Sequence, residues 1–258
     1  AAFRCEGEVR KAEDELLRGN ALLTPHSPPD LVARLRVEYA HWLADQGRFG
    51  EASEKCIEAL DALNRRPEYC GRADRDEPRR DALELLIGLY RQNPALTPGS
   101  DVFAQTLSFL DRYWWIPLEG SQPSSPVTVV RSGQAPIIGP IPDSPGATAI
   151  TDRLPRGCTV VAYFVGEETA YRWILGSRGT DLSDLPGREE LVRRLTPVLQ
   201  DLRVPRRTID PAAWESVGRL LLGPVTQYWP SKTTLYVMPD DLLFQFPWTA
   251  VVLGEQDR

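Results

Sequence analysis

CTVVAYFVGEETAYRWILG, residues 158–176, decides the fold class of this 258-residue chain. Two runs rich in β-branched and aromatic residues flank Gly166-Glu167-Glu168. Such runs fit a half-buried sheet, and a short polar turn between them makes a hairpin. Downstream, Arg188 to Leu202 and Pro211 to Leu222 return to helical spacing, the second with Asp210 as N-cap and Pro211 at the first helical position. TTLYVMP (233–239) then reads as a strand, Pro239-Asp240-Asp241 as a turn, and LLFQFPWTAVVL (242–253) as a further extended stretch. The order ββααββ predicts an α/β domain with helices on at least one face of a sheet.

Upstream of the hairpin, seven prolines fall in the 33 residues from Pro123 to Pro155, a density that excludes helix. This is the expected boundary between domains. Val127 to Val130 and Ile137 to Ile141 flank a Ser-Gly turn and would suit a small hairpin, and the stretch reads equally as a flexible linker. Before it, residues 2–116 are helical by pattern: Val9, Ala12 and Leu16, then Leu35, Tyr39, Trp42 and Leu43, are spaced by three and four. Pro25, Pro28 and Pro29 stop the first helix, Gly47 and Gly50 punctuate the second, and Pro67, Gly71 and Pro78 are expected to bound the third. A last helix is expected from Asp101 to Tyr113, with Trp114 and Trp115 as packing residues at its end.

An internal period runs through this half. Ala12, Leu16, Gly19 and Leu23 fall on Ala52, Cys56, Ala59 and Leu63, and Trp42-Leu43 on Leu89-Tyr90. Small residues thus recur where helices must approach closely. YAHWLADQGRFGEASEKCIEAL (39–60) resembles a tetratricopeptide repeat: Ala40 stands at the small position of the first helix, Gly47 at the turn, Phe49 just after it, and Ala52 and Ala59 at the small positions of the second helix. The resemblance implies a stacked helical array with an extended protein-binding surface. A plain helical bundle remains the other reading of the same spacing.

Composition excludes several classes of function. The net charge is −6, with 16 basic against 20 acidic groups in residues 1–116 and 14 against 16 in residues 117–258, so neither half carries a basic nucleic-acid surface. Apolar runs such as Val160–Val165 and Leu220–Leu222 are far shorter than a membrane span, and the opening AAFRCEGEVRKAEDE lacks a signal-peptide core. A cytoplasmic protein that binds neither nucleic acid nor membrane directly is expected. Cys5, Cys56, Cys70 and Cys158 are widely and irregularly spaced with no CxxC, so they suggest neither a metal cage nor a disulfide framework. No cofactor is expected.

The run DPAAWESVGRLLLGPVTQYWPSKTTLYVMPDDLLFQFPWTAVVL (210–253) is similar to the CHAT family of caspase- and separase-like cysteine peptidases, often found behind tetratricopeptide arrays. The matching features are Leu221-Leu222-Gly223-Pro224 closing a helix, the apolar strand Leu235 to Met238, the Pro239-Asp240 turn, Leu243, and Phe246-Pro247-Trp248 followed by Ala250. The hairpin, with Glu167-Glu168 and Tyr171-Arg172-Trp173, fits that family's opening, so the resemblance covers roughly residues 155–253. Where the family usually has Gly after Pro-Asp, at a position of positive φ, this chain has Asp241.

The resemblance implies an α-helical repeat region (1–116), a Pro-rich linker (117–154) and the amino-terminal part of a caspase-like α/β peptidase domain (155–258), incomplete at its C-terminus. The family's catalytic His and Cys lie later, beyond Arg258, so no catalytic residue is assigned within the chain, which alone is expected to be inactive. The residues agree: the only histidines, His26 and His41, lie in the helical half, and the α/β half has Cys158 and no His to activate it. Glu167-Glu168 and Asp240-Asp241, as neighbours in turns, are expected to be solvated and not to converge on one atom. The opening Ala and the ending at Arg258 just after a strand-like run suggest a portion of a longer or processed chain. The implied partners are the remaining part of the peptidase domain and a regulatory or substrate protein on the repeat surface. The rival reading is a non-catalytic repeat adaptor with an α/β docking module.

Overall fold

The computed structural model describes residues 9–24, 26–64, 73–93, 96, 102–113, 128–129, 157–176, 178–203, 210–228 and 234–248. The chain divides into two units, residues 1–122 and 123–258. An α-helical part is followed by an α/β part.

The first unit contains α1 (Val9–Leu22), α2 (Pro29–Asp45), α3 (Phe49–Asn64), α4 (Ala73–Gln92) and α5 (Val102–Tyr113). Pro29 starts α2 where its missing N–H is no loss, and Asp30 complements the positive end of the helix dipole. The helix closes on Gly47, whose φ of +73° a side chain would oppose. Gly47 N–H donates to Ala44 O and Arg48 N–H to Leu43 O, so the chain reverses at once into α3. Ala40, Ala52, Cys56 and Ala59 are fully buried, the small residues letting α2 and α3 approach. Arg34 pairs with Glu77 and His41 with Asp81, which sets α4 beside α2 and running the same way. Tyr39, Trp42, Leu43, Ala52 and Leu89 share one core with Leu16 and Phe49. Pro78, expected outside a helix, lies inside α4. It falls on the second turn, where it forgoes one backbone bond near the helix start.

Among the described residues, the second unit is built on a mixed five-stranded sheet, ordered β1-β5-β2-β3-β4. Its strands are β1 (Thr128–Val129), β2 (Cys158–Val165), β3 (Thr169–Gly176), β4 (Gly179–Pro186) and β5 (Thr234–Met238). The expected hairpin is β2–β3, in register from Thr159 with Gly176 to Val165 with Ala170. β4 was not expected: GTDLSDLP has only two large apolar residues, and it forms because β3 offers it a continuous antiparallel partner from Thr169–Pro186 to Gly176–Gly179. β5 pairs with β2 in parallel. Thr128 and Val129 pair with Val237 and Tyr236 of β5. Residues 137–141, the rest of the proposed linker, Trp114 and Trp115 lie outside the described residues.

Helices α6 (Arg188–Arg203), α7 (Pro211–Leu222) and the short α8 (Val225–Tyr228) connect β4 to β5. Asp210 accepts from Ala212 N–H and caps α7, with Pro211 behind it, as the sequence indicates. Val161, Tyr163, Val165, Ile174, Leu235 and Val237 meet Leu191, Leu195, Val198, Trp214, Val217 and Leu221 in one core. The stretch after β5 departs from the extended course expected for residues 242–253: Asp241–Gln245 is a 3-10 helix. Leu243 N–H returns to Asp240 O, Phe246 N–H to Leu243 O, and Trp248 Nε1 donates to Leu243 O. The spacing of three lets Leu243 and Phe246 both enter the core, which alternation would prevent. Residues 249–253 lie outside the described residues.

Candidate functional site

Open sheets with parallel strands carry ligands and chemistry beyond the carboxyl ends of those strands. In this chain that place lies beyond Val165 of β2 and Met238 of β5, where Gly166-Glu167-Glu168, the start of α6 and Pro239-Asp240-Asp241 come together. Asp240 is 4% exposed and accepts the Val165 N–H through Oδ2 at 2.7 Å. The expectation of a solvated carboxylate is therefore corrected: a strand-end N–H that has run past its ladder needs an acceptor, and Asp240 supplies it. Asp241 takes a φ of +47°, the conformation for which Gly is the usual residue. Its Oδ2 accepts from Arg188 Nε at 2.7 Å, and Arg188 Nη1 lies 3.5 Å from Glu167 Oε1. The bond to Asp241, aided by the nearby Glu167 and Asp240 charges, holds the Arg188 guanidinium above its ordinary basicity.

The backbone closes the same junction. Arg188 N–H is shared between Gly166 O and Glu167 O, so the hairpin turn caps α6. Gly187 has no room for a side chain, because a Cβ there would run into the Glu167 and Glu168 carbonyls. Asp240 faces inward and Asp241 outward, as expected for carboxylates that do not act as a pair.

A second polar group ties the hairpin to α7. Arg172, 2% exposed on β3, donates from Nη1 to Leu220 O and Leu221 O, and from Nη2 to Ser183 Oγ. Its Nε has no partner among the described residues, and burial holds the group below its ordinary basicity. Tyr163 Oη donates to Leu221 O at 2.8 Å, and burial pushes its phenol up. The carbonyls at the negative end of α7 thus meet a cation and a hydroxyl. Trp248 stacks on the Tyr163 ring and meets Phe246 edge-on.

The thiols lie elsewhere. Cys158 is buried at the first residue of β2, the opposite end of the strand from Asp240. In the helical unit, His41 Nε2 bonds Asp81 Oδ1 at 2.8 Å across α2 and α4, and Asp81 acts electrostatically on Cys56. Three residue types of a cysteine-hydrolase site therefore gather there. The Cys56 thiol, however, is fully buried, and burial first and Asp81 second push it well above its usual range, so it holds its proton. His26 is exposed in the turn after α1. Among the described residues no three His, Cys, Asp or Glu are placed to hold a metal ion, and no helix is long and apolar enough to cross a membrane.

Sequence reasoning marked Asp241 by its departure from Gly, but it missed the bonds that Arg188 and Arg172 make and the burial of Asp240, because the partners lie 53, 48 and 75 residues away. Comparison of the chain with protein-family models, curated proteins and solved structures finds no match.

Proposed function

We propose that this chain is the amino-terminal regulatory and scaffold portion of a caspase-like cysteine endopeptidase of the CHAT type, preceded by tetratricopeptide-like repeats. One observation carries this reading: the residues on which the resemblance rests meet in a single core. Leu221 receives Tyr163 and Arg172, Asp240 receives Val165, and Phe246 and Trp248 pack with Tyr163 and Trp214. Segments 158–176, 210–224 and 234–248 support one another, as the parts of one motif should. In the helical unit, fully buried Ala40, Ala52 and Ala59 and the common direction of α2 and α4 support stacked repeats.

In this reading the reaction is peptide-bond hydrolysis. A Cys thiolate, its proton taken by His, attacks the scissile carbonyl carbon; the amine leaves with a proton from that His, and water releases the thioester. Both groups come from the chain after residue 258. The role of these 258 residues is to hold β2 and β5, with the turn after each fixed by Asp240 and Arg188, as the base on which the catalytic strands lie. The repeats engage a protein partner, and differential affinity for two arrangements of the protease would couple that binding to activity.

The test is the reading frame after Arg258. A His and then a Cys, each at a strand end, are expected. A stop codon would reject the peptidase and leave the repeat adaptor with an α/β docking module.

A further inference from the structure

The outer side of α1 and the start of α2 are open where the corresponding positions further along the chain are covered. We propose that a helix from the chain upstream of Gly7 packs there, standing to α1 and α2 as α2 stands to α3 and α4. The inference rests on the repeat part of the proposed function and not on the peptidase.

The internal period allows a comparison position by position. At the offset of 40 residues, Leu16, Gly19, Asn20 and Leu23 correspond to Cys56, Ala59, Leu60 and Leu63. All four of the α3 positions are buried, and all four of the upstream positions are half-buried. Leu17 is 47% exposed and Leu22 80%, against half-buried Ile57 and Ala62. The cause is what lies beside each helix: α3 sits between α2 and α4, whereas among the described residues α1 makes its broad contact with α2, where Leu35 closes on Gly19. A second comparison opens the same side. At the offset of 47, Leu31 and Leu35 of α2 correspond to Pro78 and Ala82 of α4. The α4 pair is buried, while Leu31 is 52% exposed and Leu35 half-buried. On the opposite side of α2, Ala33 and Val37 are buried, so the opening is confined to the side that faces α1.

The sequence identifies the occupant. The offset of 40 sets Gly7 on Gly47, the residue at which α2 turns into α3, and Phe3 on Leu43, which α2 buries one turn earlier. The chain leading into α1 therefore carries the closing pattern of the first helix of a pair. α2 uses 17 residues to cover α3 as far as Leu63. A helix of that length, antiparallel to α1 and closing at Gly7, covers α1 as far as Leu23, so most of it comes from chain upstream of residue 1. Its buried stripe should repeat that of α2, with a small residue 7 positions before Gly7, as Ala40 stands before Gly47, and apolar residues 10 and 14 positions before it, as Val37 and Ala33 do.

The experiment compares the 258-residue chain with the product of the reading frame extended upstream, by hydrogen exchange over Val9–Leu22 and by light scattering. Exchange in α1 is expected to be about tenfold or more slower in the longer chain. Leu17→Gln with Leu22→Gln keeps helix propensity and removes the apolar contact, so it should abolish that slowing and leave the 258-residue chain unchanged. Ala52→Leu separates this proposal from the repeat reading, because stacked repeats make it destabilising in both chains. If it melts like the parent, the repeat reading falls and the proposal with it. With Ala52→Leu destabilising, the proposal alone is overturned by an upstream frame that lacks the small and apolar positions, by equal exchange of α1 in the two chains, or by a double variant that acts alike in both. A 258-residue chain that scatters as a dimer with α1 already protected would also overturn it, since a second copy then covers the face.

Discussion

Asp241 sits at a φ of +47° with its carboxylate on Arg188, so two effects oppose each other at one residue. The left-handed backbone disfavours a side chain, while the ion pair, 47% exposed on the Arg188 side, contributes modestly. Asp241→Gly should therefore leave stability within about 1 kcal/mol of the parent. Asp241→Val loses the pair and adds a β-branched side chain to the same backbone, and it should cost at least about 1 to 2 kcal/mol. Urea melts of the two variants check this, and equal midpoints would contradict the backbone assignment. Asp240 behaves differently because nothing replaces it. Asp240→Ala leaves the buried Val165 N–H without its acceptor and should cost about 1 to 3 kcal/mol. Asp240→Asn, which keeps an acceptor oxygen, should cost less, and a parent-like melt for Asp240→Ala would refute the bond. The turn was legible from Pro239-Asp240 and its missing Gly. The inward direction of Asp240 was not, because it depends on a strand end far away in the chain.

Among the elements, those whose own residues carry a period were legible. α2, α3, β2, β3, α6 and α7 match the expected segments to within a few residues, because each has either a continuous apolar stripe or a run of β-branched and aromatic residues. β4 and the 3-10 helix were not legible. Asp181, Ser183 and Asp184 make β4 read as a loop, and only the ladder to β3 makes it a strand. Leu242 to Trp248 alternates too poorly for a strand, and the returns of Leu243 and Phe246 decide its course. Two element junctions can be tested by adding atoms. Ala52 is fully buried where α3 meets α2, and Ala52→Leu should cost about 1 to 3 kcal/mol by overpacking. Gly187 joins β4 to α6 against the Glu167 and Glu168 carbonyls, and Gly187→Ala should also cost about 1 to 3 kcal/mol, with the hairpin turn forced to move. Thermal melts read both, and hydrogen exchange at Arg188 reads the second. Unchanged melting of either would remove that contact from the account.

At the scale of the molecule, helices precede an α/β unit, and that order was legible from the change of period on either side of the prolines. What the α/β unit does was less so, because its chemistry-bearing side chains serve the fold: Asp240 ends a strand, Arg172 caps α7, and Cys158 is buried at the opposite end of β2 from Asp240. The sheet also presents a second buried apolar face. Val160, Ala162, Phe164, Tyr171, Trp173 and Leu175 point away from the core shared with α6 and α7. The most direct test treats the product of the complete reading frame with a peptidyl acyloxymethyl ketone, which alkylates a catalytic thiolate, and maps the adduct by mass spectrometry. A single adduct on a cysteine after residue 258, lost when the downstream His is replaced by Ala, is the expected result. An adduct on Cys5, Cys56, Cys70 or Cys158, or a product with no cysteine after residue 258, would contradict the account.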